Sequence, residues 1–229
     1  MKKAIWIASI LPLIITAFLL RFLPDSVPMH YDISGQIDRW GSKNENLIFP
    51  LFIFAMALFF QLLISHFEKK SARAETEKEQ KEAASNVKFL RIIALWQTIA
   101  FGVMQLFILY GAYVAASPYT TLPSVDIATV SCFSGGVLFL IIGNYLPKAR
   151  KNSLVGLRTV WSMYNDTTWT KSNRFAAGTF IVTGVLTMVT SLLASSSAAT
   201  SLMLGYLAIS AVLTTFYSYK VYKTELSKK

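Results

Sequence analysis

The sequence has few charged residues and few residues that form disulfides or metal sites. Of its 229 residues, 15% are Asp, Glu, Lys or Arg, whereas soluble proteins average about 25%. It contains one cysteine and two histidines. Cys132 therefore has no partner for an intramolecular disulfide, and no cysteine cluster indicates a structural metal. This fraction of charged residues is lower than that of an ordinary soluble domain.

Apolar residues make up 54% of the chain and occur in six long blocks separated by polar segments. A transmembrane helix needs about 20 such residues to cross about 30 Å of hydrocarbon. We therefore predict an all-α polytopic membrane protein with six transmembrane helices. We expect the first block to be a retained span, because Arg21 and Phe22 follow it without a small-residue cleavage site. The blocks cover residues 4–20, 47–67, 89–115, 127–146, 175–193 and 202–219.

The net charge of +10 comes from Lys and Arg in the short segments between these blocks. With six spans and a cytoplasmic N-terminus, only Arg21, Arg39 and Lys43 among the 22 basic residues face outward. Basic loops remain in the cytoplasm, so we predict that both termini are cytoplasmic. A basic cytoplasmic face also suits anionic lipid headgroups, and we predict no direct contact with nucleic acid.

We predict that residues 1–229 form a single membrane domain. The charged linker, residues 68–88, mixes Glu, Lys, Ala and Gln, and we expect it to extend the adjoining spans as a solvated helical hairpin. A docking surface for a cytoplasmic partner is the alternative. The parts are the first two spans at 1–67 with an ordered extracytoplasmic loop at 21–46, a cytoplasmic charged linker at 68–88, and a four-span region at 89–229 with a cytoplasmic motif loop at 147–174.

The extracytoplasmic loop at 21–46, here called the outer loop, is predicted to form a small hairpin or cap. Gly35 suits a turn that needs positive φ, and Tyr31 and Trp40 suit the membrane interface. An unperturbed histidine side chain changes charge near pH 6.5, so a structural role, ligand contact and pH sensing all remain open at position 30. The candidate ligand contacts are His30, Tyr31, Gly35, Asp38, Trp40 and Lys43.

A metal site at His30 with Asp32 and Asp38 is a further alternative, because three ligands are the minimum for an open catalytic zinc site. However, no second histidine lies nearby in the sequence. We therefore predict neither a metal nor another cofactor.

The cytoplasmic motif loop at 147–174, here called the inner loop, carries aromatic and basic residues. Asp166 is expected to cap a short helix that begins at the next residue, and Trp169 is expected to anchor that helix at the lipid headgroups. Arg158 and Arg174 either bind only lipid or contact a cytoplasmic partner. In the fifth span, threonines and Gly184 share one helical face, which favours close helix packing.

The inner and outer loops each carry a motif. The first motif consists of Gly143, Asn144, Tyr145, Leu146, Pro147, Asn152, Gly156, Arg158, Thr159, Trp161, Trp169 and Arg174, and the second of Leu23, Pro24, Pro28, His30, Tyr31, Gly35, Asp38, Trp40, Gly41 and Lys43. The inner loop resembles the signature of the SdpI-type immunity proteins of Gram-positive bacteria, and the outer loop resembles a module of unknown function often found at the N-terminus of that family. Val160, Ser162 and Asn173 depart from the family's Pro, Thr and His.

The resemblance implies an immunity protein of the bacterial plasma membrane, not an enzyme. The best-known member protects its cell from a secreted peptide toxin, and with toxin bound it recruits a small DNA-binding repressor to the membrane. The implied partners are thus the bilayer, a secreted peptide toxin and a small cytoplasmic repressor. The signalling candidates are Asn144, Asn152, Gly156, Arg158, Thr159, Trp161, Trp169 and Arg174.

Two other functions compete with immunity. A small transporter or flippase would need polar side chains along a path through the spans. A membrane-embedded metalloenzyme would use His30 with Asp32 or Asp38. The polar candidates for a path are Gln61, His66, Gln97, Gln105 and Asn144.

Overall fold

The computed structural model describes residues 1–32, 36–117, 126–151 and 154–228. Six helices in these ranges are long and apolar enough to cross a membrane. This confirms the prediction of an all-α polytopic membrane protein. The helices are α1 (Lys2–Leu19), α2 (Ile48–Ala72), α3 (Glu77–Ala116), α4 (Ile127–Tyr145), α5 (Asp166–Leu193) and α6 (Ser196–Leu226).

Several helices extend beyond their apolar blocks. Helix α3 has 40 residues and is therefore about 60 Å long, about twice the thickness of the hydrocarbon. Its first turns project past the bilayer at the end predicted to be cytoplasmic. Thr76 caps this projecting end by accepting a hydrogen bond from the backbone N–H of Glu79 at 3.3 Å. The charged segment 68–88 is thus divided between the end of α2 and the start of α3.

Between α1 and α2 the chain forms an antiparallel hairpin of two strands, β1 (Ser26–Tyr31) and β2 (Ile37–Ser42). Val27 pairs with Gly41 in its register. The Val27 side chain is fully buried in a cluster that includes Leu109 of α3. The hairpin is therefore fastened to the outer end of α3.

The helices pack as two groups of three. Helices α1, α2 and α3 contact one another, as do α4, α5 and α6, and α3 packs against α4 to join the groups. Fully buried Ile5 and Ala94 lie in the core of the first group. At the end predicted to be cytoplasmic, Glu68 of α2 pairs with Lys2 of α1 at 2.6 Å and with Arg91 of α3. One carboxylate thus links all three helices of the first group.

Small residues bring α4 and α5 close together. A Cβ added to Gly136 would lie 2.8 Å from the carbonyl oxygen of Gly184, and one added to Gly184 would lie 2.7 Å from that of Gly136. Two turns away, a Cβ on Gly143 would lie 2.9 Å from the carbonyl oxygen of Ala177. Small side chains let helix backbones approach closely in lipid. Thr187 on the same side of α5 is fully buried, consistent with a packing role.

Helix α5 begins nine residues before its apolar block. Asn165 Oδ1 accepts the N–H of Thr168 at 2.8 Å, and Thr168 Oγ1 accepts the N–H of Asn165 at 3.0 Å. This reciprocal pair is a capping box. The prediction that Asp166 caps a short helix is wrong, because Asp166 is the first residue of α5 itself. Asn and Asp cap helices about equally well, so the sequence did not distinguish the two neighbours.

Candidate functional site

The outer hairpin presents three of the predicted ligand contacts to solvent. His30 Nδ1 lies 2.6 Å from Asp38 Oδ1, and the two side chains are 63% and 46% exposed. Trp40 is 50% exposed. The structure therefore brings His30 and Asp38 together as an accessible hydrogen-bonded pair, on the same hairpin as an accessible indole.

A capping box at the base of the hairpin fixes its shape. Ser42 Oγ accepts the N–H of Asn44 at 3.3 Å, while Glu45 Oε1 accepts the N–H of Ser42 at 3.0 Å. The other carboxylate oxygen of Glu45 accepts a hydrogen bond from Arg39 at 2.9 Å. The hairpin is thus pre-organised, which lowers the entropic cost of binding a ligand.

Two other candidates hold the hairpin in place. Lys43 Nζ lies 3.0 Å from the carboxylate of Asp25. Tyr31 is half-buried, and this burial raises the pKa of its phenol, which therefore remains protonated at neutral pH. Its hydroxyl lies against α3, 3.7 Å from where a Cβ on Gly111 would be. Gly35 lies outside the described residues.

No group of three His, Cys, Asp or Glu side chains in the described ranges is placed to hold a metal ion. His30 and Asp38 supply two such groups. The carboxylate of Asp32 accepts the backbone N–H of Gln36 at 2.9 Å. Because a catalytic zinc site uses three protein ligands, the described side chains do not assemble the set that the metalloenzyme alternative needs.

The polar residues of the transporter alternative are spread over three helices. One of them, Gln105 of α3, is fully buried. Its amide nitrogen donates to Thr16 Oγ1 of α1 at 3.0 Å and to the carbonyl oxygen of Asn46 at 3.1 Å. Hydrogen bonds of this kind hold helices together in lipid, so Gln105 serves packing. Gln61 and His66 lie on α2, Gln97 and Gln105 on α3, and Asn144 on α4.

Trp169 forms the core of the inner loop. Its side chain is 3% exposed, and its indole Nε1 donates to the carbonyl oxygen of Ala149 at 2.8 Å. Gly156 lies against the indole with φ +119°, and a Cβ there would be 2.5 Å from Trp169 Cη2. The prediction that Trp169 anchors the helix in the headgroups is wrong, because the loop folds back over the start of α5 and covers the ring.

Asn173, one turn after Trp169, fastens the loop to α5. Its side chain is 1% exposed. Its Oδ1 accepts the N–H of Leu157 at 2.7 Å, and its Nδ2 donates to the carbonyl oxygen of Trp169 at 3.0 Å. Asn173 stands where the resembled family has His. An amide supplies one acceptor and a donor, as a neutral imidazole does, so this departure keeps the capacity for both hydrogen bonds.

A second hydrogen-bonded cluster joins the loop to α6. Ser162 Oγ accepts the N–H of Thr159 at 2.9 Å, and Thr159 Oγ1 lies 2.7 Å from Ser218 Oγ. The ring of Trp161 packs edge-on against Tyr219, with centroids 5.1 Å apart. Ser162 is fully buried, yet the sequence singled it out only as a departure from the family pattern. Two hydroxyls three residues apart are typical of such turns and were the available signal.

The comparison with known families falls on this loop and the helices that hold it. Residues 148–218 match the model of the SdpI/YfhL protein family. We call the matched residues the SdpI/YfhL region. It includes the buried cluster around Trp169, all of α5 and most of α6. The resemblance predicted from the inner-loop motif is confirmed.

A curated relative supports this match. The protein named Immunity protein SdpI from Bacillus subtilis (strain 168) is 31% identical over 99 residues. The match covers 43% of this chain and 47% of the relative, so it spans about half of the relative's length. With the six spans, it identifies the chain as a multi-pass protein of a bacterial membrane. No solved structure matches the chain.

The outer motif is matched by a second family model. DUF1648, a domain of unknown function, matches residues 7–54. This range contains most of α1, the hairpin and the start of α2. The DUF1648 module therefore lies in the first group of helices, whereas the SdpI/YfhL region lies in the second.

Part of the SdpI/YfhL region remains on the surface of the inner loop. Arg158 is exposed, and Val160, which replaces the family's Pro, is 81% exposed. Asn144 and Arg174 are also exposed, but Arg174 lines a groove between α5 and α6. Asn152 lies outside the described residues. Arg158 and Val160 thus place a cation beside an apolar side chain on the accessible side of the loop.

Proposed function

We propose that this chain is a membrane immunity protein that protects its cell from a secreted antimicrobial peptide toxin. The observation that carries the proposal is the similarity to Immunity protein SdpI, together with the SdpI/YfhL match at 148–218. The matched stretch includes the folded inner loop and the two helices that hold it. Immunity of this kind requires binding and no catalytic step.

The outer hairpin is the proposed contact for the toxin. A secreted amphipathic peptide arrives from outside and meets this hairpin first. The half-exposed indole of Trp40 offers a large amphipathic ring of the type that dominates binding interfaces. The exposed pair of His30 and Asp38 offers charge-assisted hydrogen bonds. Tyr31 and Lys43 hold the hairpin on α3 and at its base, so their role in binding is indirect.

The inner loop is the proposed contact for a small cytoplasmic DNA-binding repressor. Arg158 and Val160 are its accessible side chains, and an arginine beside an apolar group is typical of the centre of an interface. Gly156 and Trp169 would act from beneath by fixing the loop. In this proposal the buried cluster determines the shape of the surface, and the exposed pair makes the contact.

Helix α3 is the proposed connection between the two contacts. Its outer end packs against strand β1. At its inner end, Lys78 and Glu82 share a hollow of about 270 Å³ with residues of the inner loop, including Lys148 and Trp169. A tilt of this single long helix would move the residues at both of its ends. The toxin would change this tilt only if it bound the two tilted arrangements of the helix with different affinities.

The first experiment tests immunity and the hairpin together. The chain is expressed in a toxin-sensitive bacterium, which is challenged with peptide toxins that include one made by the strain of origin. We expect wild type to restore survival and Trp40→Ala to lose it. Trp96→Ala is the matched control, because Trp96 on α3 is 44% exposed but lies far from the hairpin in sequence. No gain in survival with the wild-type chain against any toxin would contradict the proposal.

The second experiment separates signalling from protection. Arg158→Ala should preserve survival while reducing toxin-dependent recruitment of the repressor to membranes by about tenfold or more, the effect of removing a strong interface residue. Lys220→Ala on α6, which is also an exposed cation, is the control and should change neither readout. Equal loss of survival and recruitment in Arg158→Ala would assign Arg158 to folding instead.

A further inference from the structure

A groove of about 560 Å³ runs between α5 and α6. Its walls are mostly apolar and include Val182 and Leu186 of α5 and Ile209 and Leu213 of α6. Three of these four side chains are about half exposed, with Val182 at 57%, Ile209 at 59% and Leu213 at 48%. The groove therefore opens toward the lipid and not toward the interior of the helix group.

The groove lies in the cytoplasmic half of the bilayer. The apolar block of α5 begins at Phe175, which marks the inner edge of the hydrocarbon. Leu186, the deepest lining residue of α5, lies eleven residues further on, or about 16 Å. Half of the hydrocarbon is about 15 Å thick. On the α5 side the groove thus has about the depth of one leaflet.

A cation stands at the headgroup end of this groove. Arg174 lines the groove immediately before the apolar block and is exposed, and the described residues provide no carboxylate partner for it. Its neighbour Lys171 differs, because Lys171 Nζ lies 3.2 Å from Glu225 Oε1. Arg174 therefore leaves a positive charge for a ligand at the level where phosphates lie.

A missing side chain keeps the groove open just below this cation. Gly178 lies one turn after Arg174, and a Cβ there would meet no atom within 4 Å. The adjacent wall is firm, because the ring of Phe175 stacks on Tyr217 with centroids 4.1 Å apart and an angle of 11° between the rings. Gly178 thus provides room beside a fixed aromatic pair.

We propose that this groove holds an acyl chain of an anionic phospholipid from the cytoplasmic leaflet, with the lipid phosphate bound by Arg174. The apolar walls, the depth of one leaflet and the cation at the headgroup level match such a lipid in shape and in charge. Cytoplasmic leaflets are rich in anionic lipids, and the planar guanidinium binds phosphate with two hydrogen bonds. A secreted peptide approaches from the opposite leaflet, which favours lipid as the occupant.

The test uses the purified full-length chain in mild detergent. Native mass spectrometry measures the binding of phosphatidylglycerol and of phosphatidylcholine with identical acyl chains. We expect wild type to bind one phosphatidylglycerol about fivefold more tightly than phosphatidylcholine, the contribution of one cation near an anionic headgroup. Arg174→Gln should abolish the preference, and Gly178→Leu should displace both lipids by filling the groove.

Two matched controls separate this site from the general lipid shell. Lys171→Gln removes a cation that already has a partner, and Gly205→Leu adds a side chain on α6 where a Cβ also meets no atom within 4 Å. Both should bind lipid like wild type. Circular dichroism checks that each variant is folded, and Arg174→Gln remains informative if the leucine variant unfolds.

Three results would overturn the proposal. One is equal binding of the two lipids by wild type. Another is equal lipid loss in Gly178→Leu and Gly205→Leu, which would describe the general lipid shell. The last is displacement of the bound phosphatidylglycerol by an added peptide toxin through direct occupation of the groove, which would make the groove a toxin site.

Discussion

Replacing Gly156 with alanine should open the inner loop while leaving the six spans in place. The residue has φ +119°, and holding a side chain in such a backbone conformation costs about 1–3 kcal/mol. The new Cβ would also lie 2.5 Å from Trp169 Cη2 and 2.8 Å from Asn173 Oδ1. Moving the indole would break its hydrogen bond to Ala149, worth about 0.5–1.5 kcal/mol. The total is about 1.5–4.5 kcal/mol.

This penalty is large for a loop, because loops open locally at a lower free energy than the whole protein unfolds. It should raise the population of the open loop by roughly 10- to 1,600-fold, since about 1.4 kcal/mol corresponds to a factor of ten. The direct readout is hydrogen exchange at the backbone amide of Leu157, which donates to Asn173 Oδ1 in the closed loop. Quenching of the total tryptophan fluorescence should rise in parallel, because the Trp169 ring, one of five indoles, is 3% exposed in the closed loop.

The matched control is Gly205→Ala on α6. A Cβ there meets no atom within 4 Å, and alanine is favoured over glycine in a helix by about 1 kcal/mol. Exchange at Leu157 should therefore stay at the wild-type rate in this variant. If Gly156→Ala also left the Leu157 amide as protected as in wild type, the account of the loop as a packed unit would be refuted.

Three further predictions concern stability. Asn173→Ala leaves the N–H of Leu157 without its acceptor, so thermal unfolding should show a loss of about 1–3 kcal/mol; an unchanged midpoint would contradict the role given to Asn173. Gly184→Leu should separate α5 from α4, because its Cβ would lie 2.7 Å from the Gly136 carbonyl oxygen; overpacking of this kind costs about 1–3 kcal/mol and should lower the detergent midpoint, whereas an equally stable variant would argue against the close contact. Asp126 tests pH dependence. Burial raises the pKa of its carboxyl, but hydrogen bonds from two hydroxyls and backbone amides together hold that pKa below its ordinary value. The stabilisation is therefore complete above about pH 4, the pKa of an unfolded Asp, and is lost as pH falls through the lower folded pKa. Asp126→Asn should be less stable than wild type at pH 7, with a difference that shrinks in acid; a difference independent of pH would rule out this explanation.

The number of spans was predictable because hydrocarbon thickness imposes a minimum apolar length on each helix. The exact helix ends were not. Polar residues continue a helix outside the bilayer at little cost, so α5 begins at Asp166 although its apolar block begins at Phe175. Asn165 determines that start through a hydrogen bond to the Thr168 backbone. The sequence contained this local signal, but the neighbouring Asp166 was an equally suitable capping residue.

The candidate sites were predictable as positions along the chain, but not in their roles. The motifs pointed to Trp169 and Arg158 alike. In the structure, Trp169 is buried beneath the loop and Arg158 is exposed on it. The contacts that separate them join distant residues, such as Thr159 to Ser218, 59 positions apart. No pattern within the loop encodes a partner on another helix.

The order of apolar blocks and basic connectors determined by itself that this chain crosses a membrane six times, and it predicted which loops face the cytoplasm. Those properties depend on transfer between water and lipid, which is a property of composition over a segment. Only the tertiary structure decided that Gly136 meets Gly184, that Asn173 holds the inner loop, and that Gly178 leaves a groove below Arg174. Such contacts depend on which helix faces are brought together, and packing between distant segments determines that.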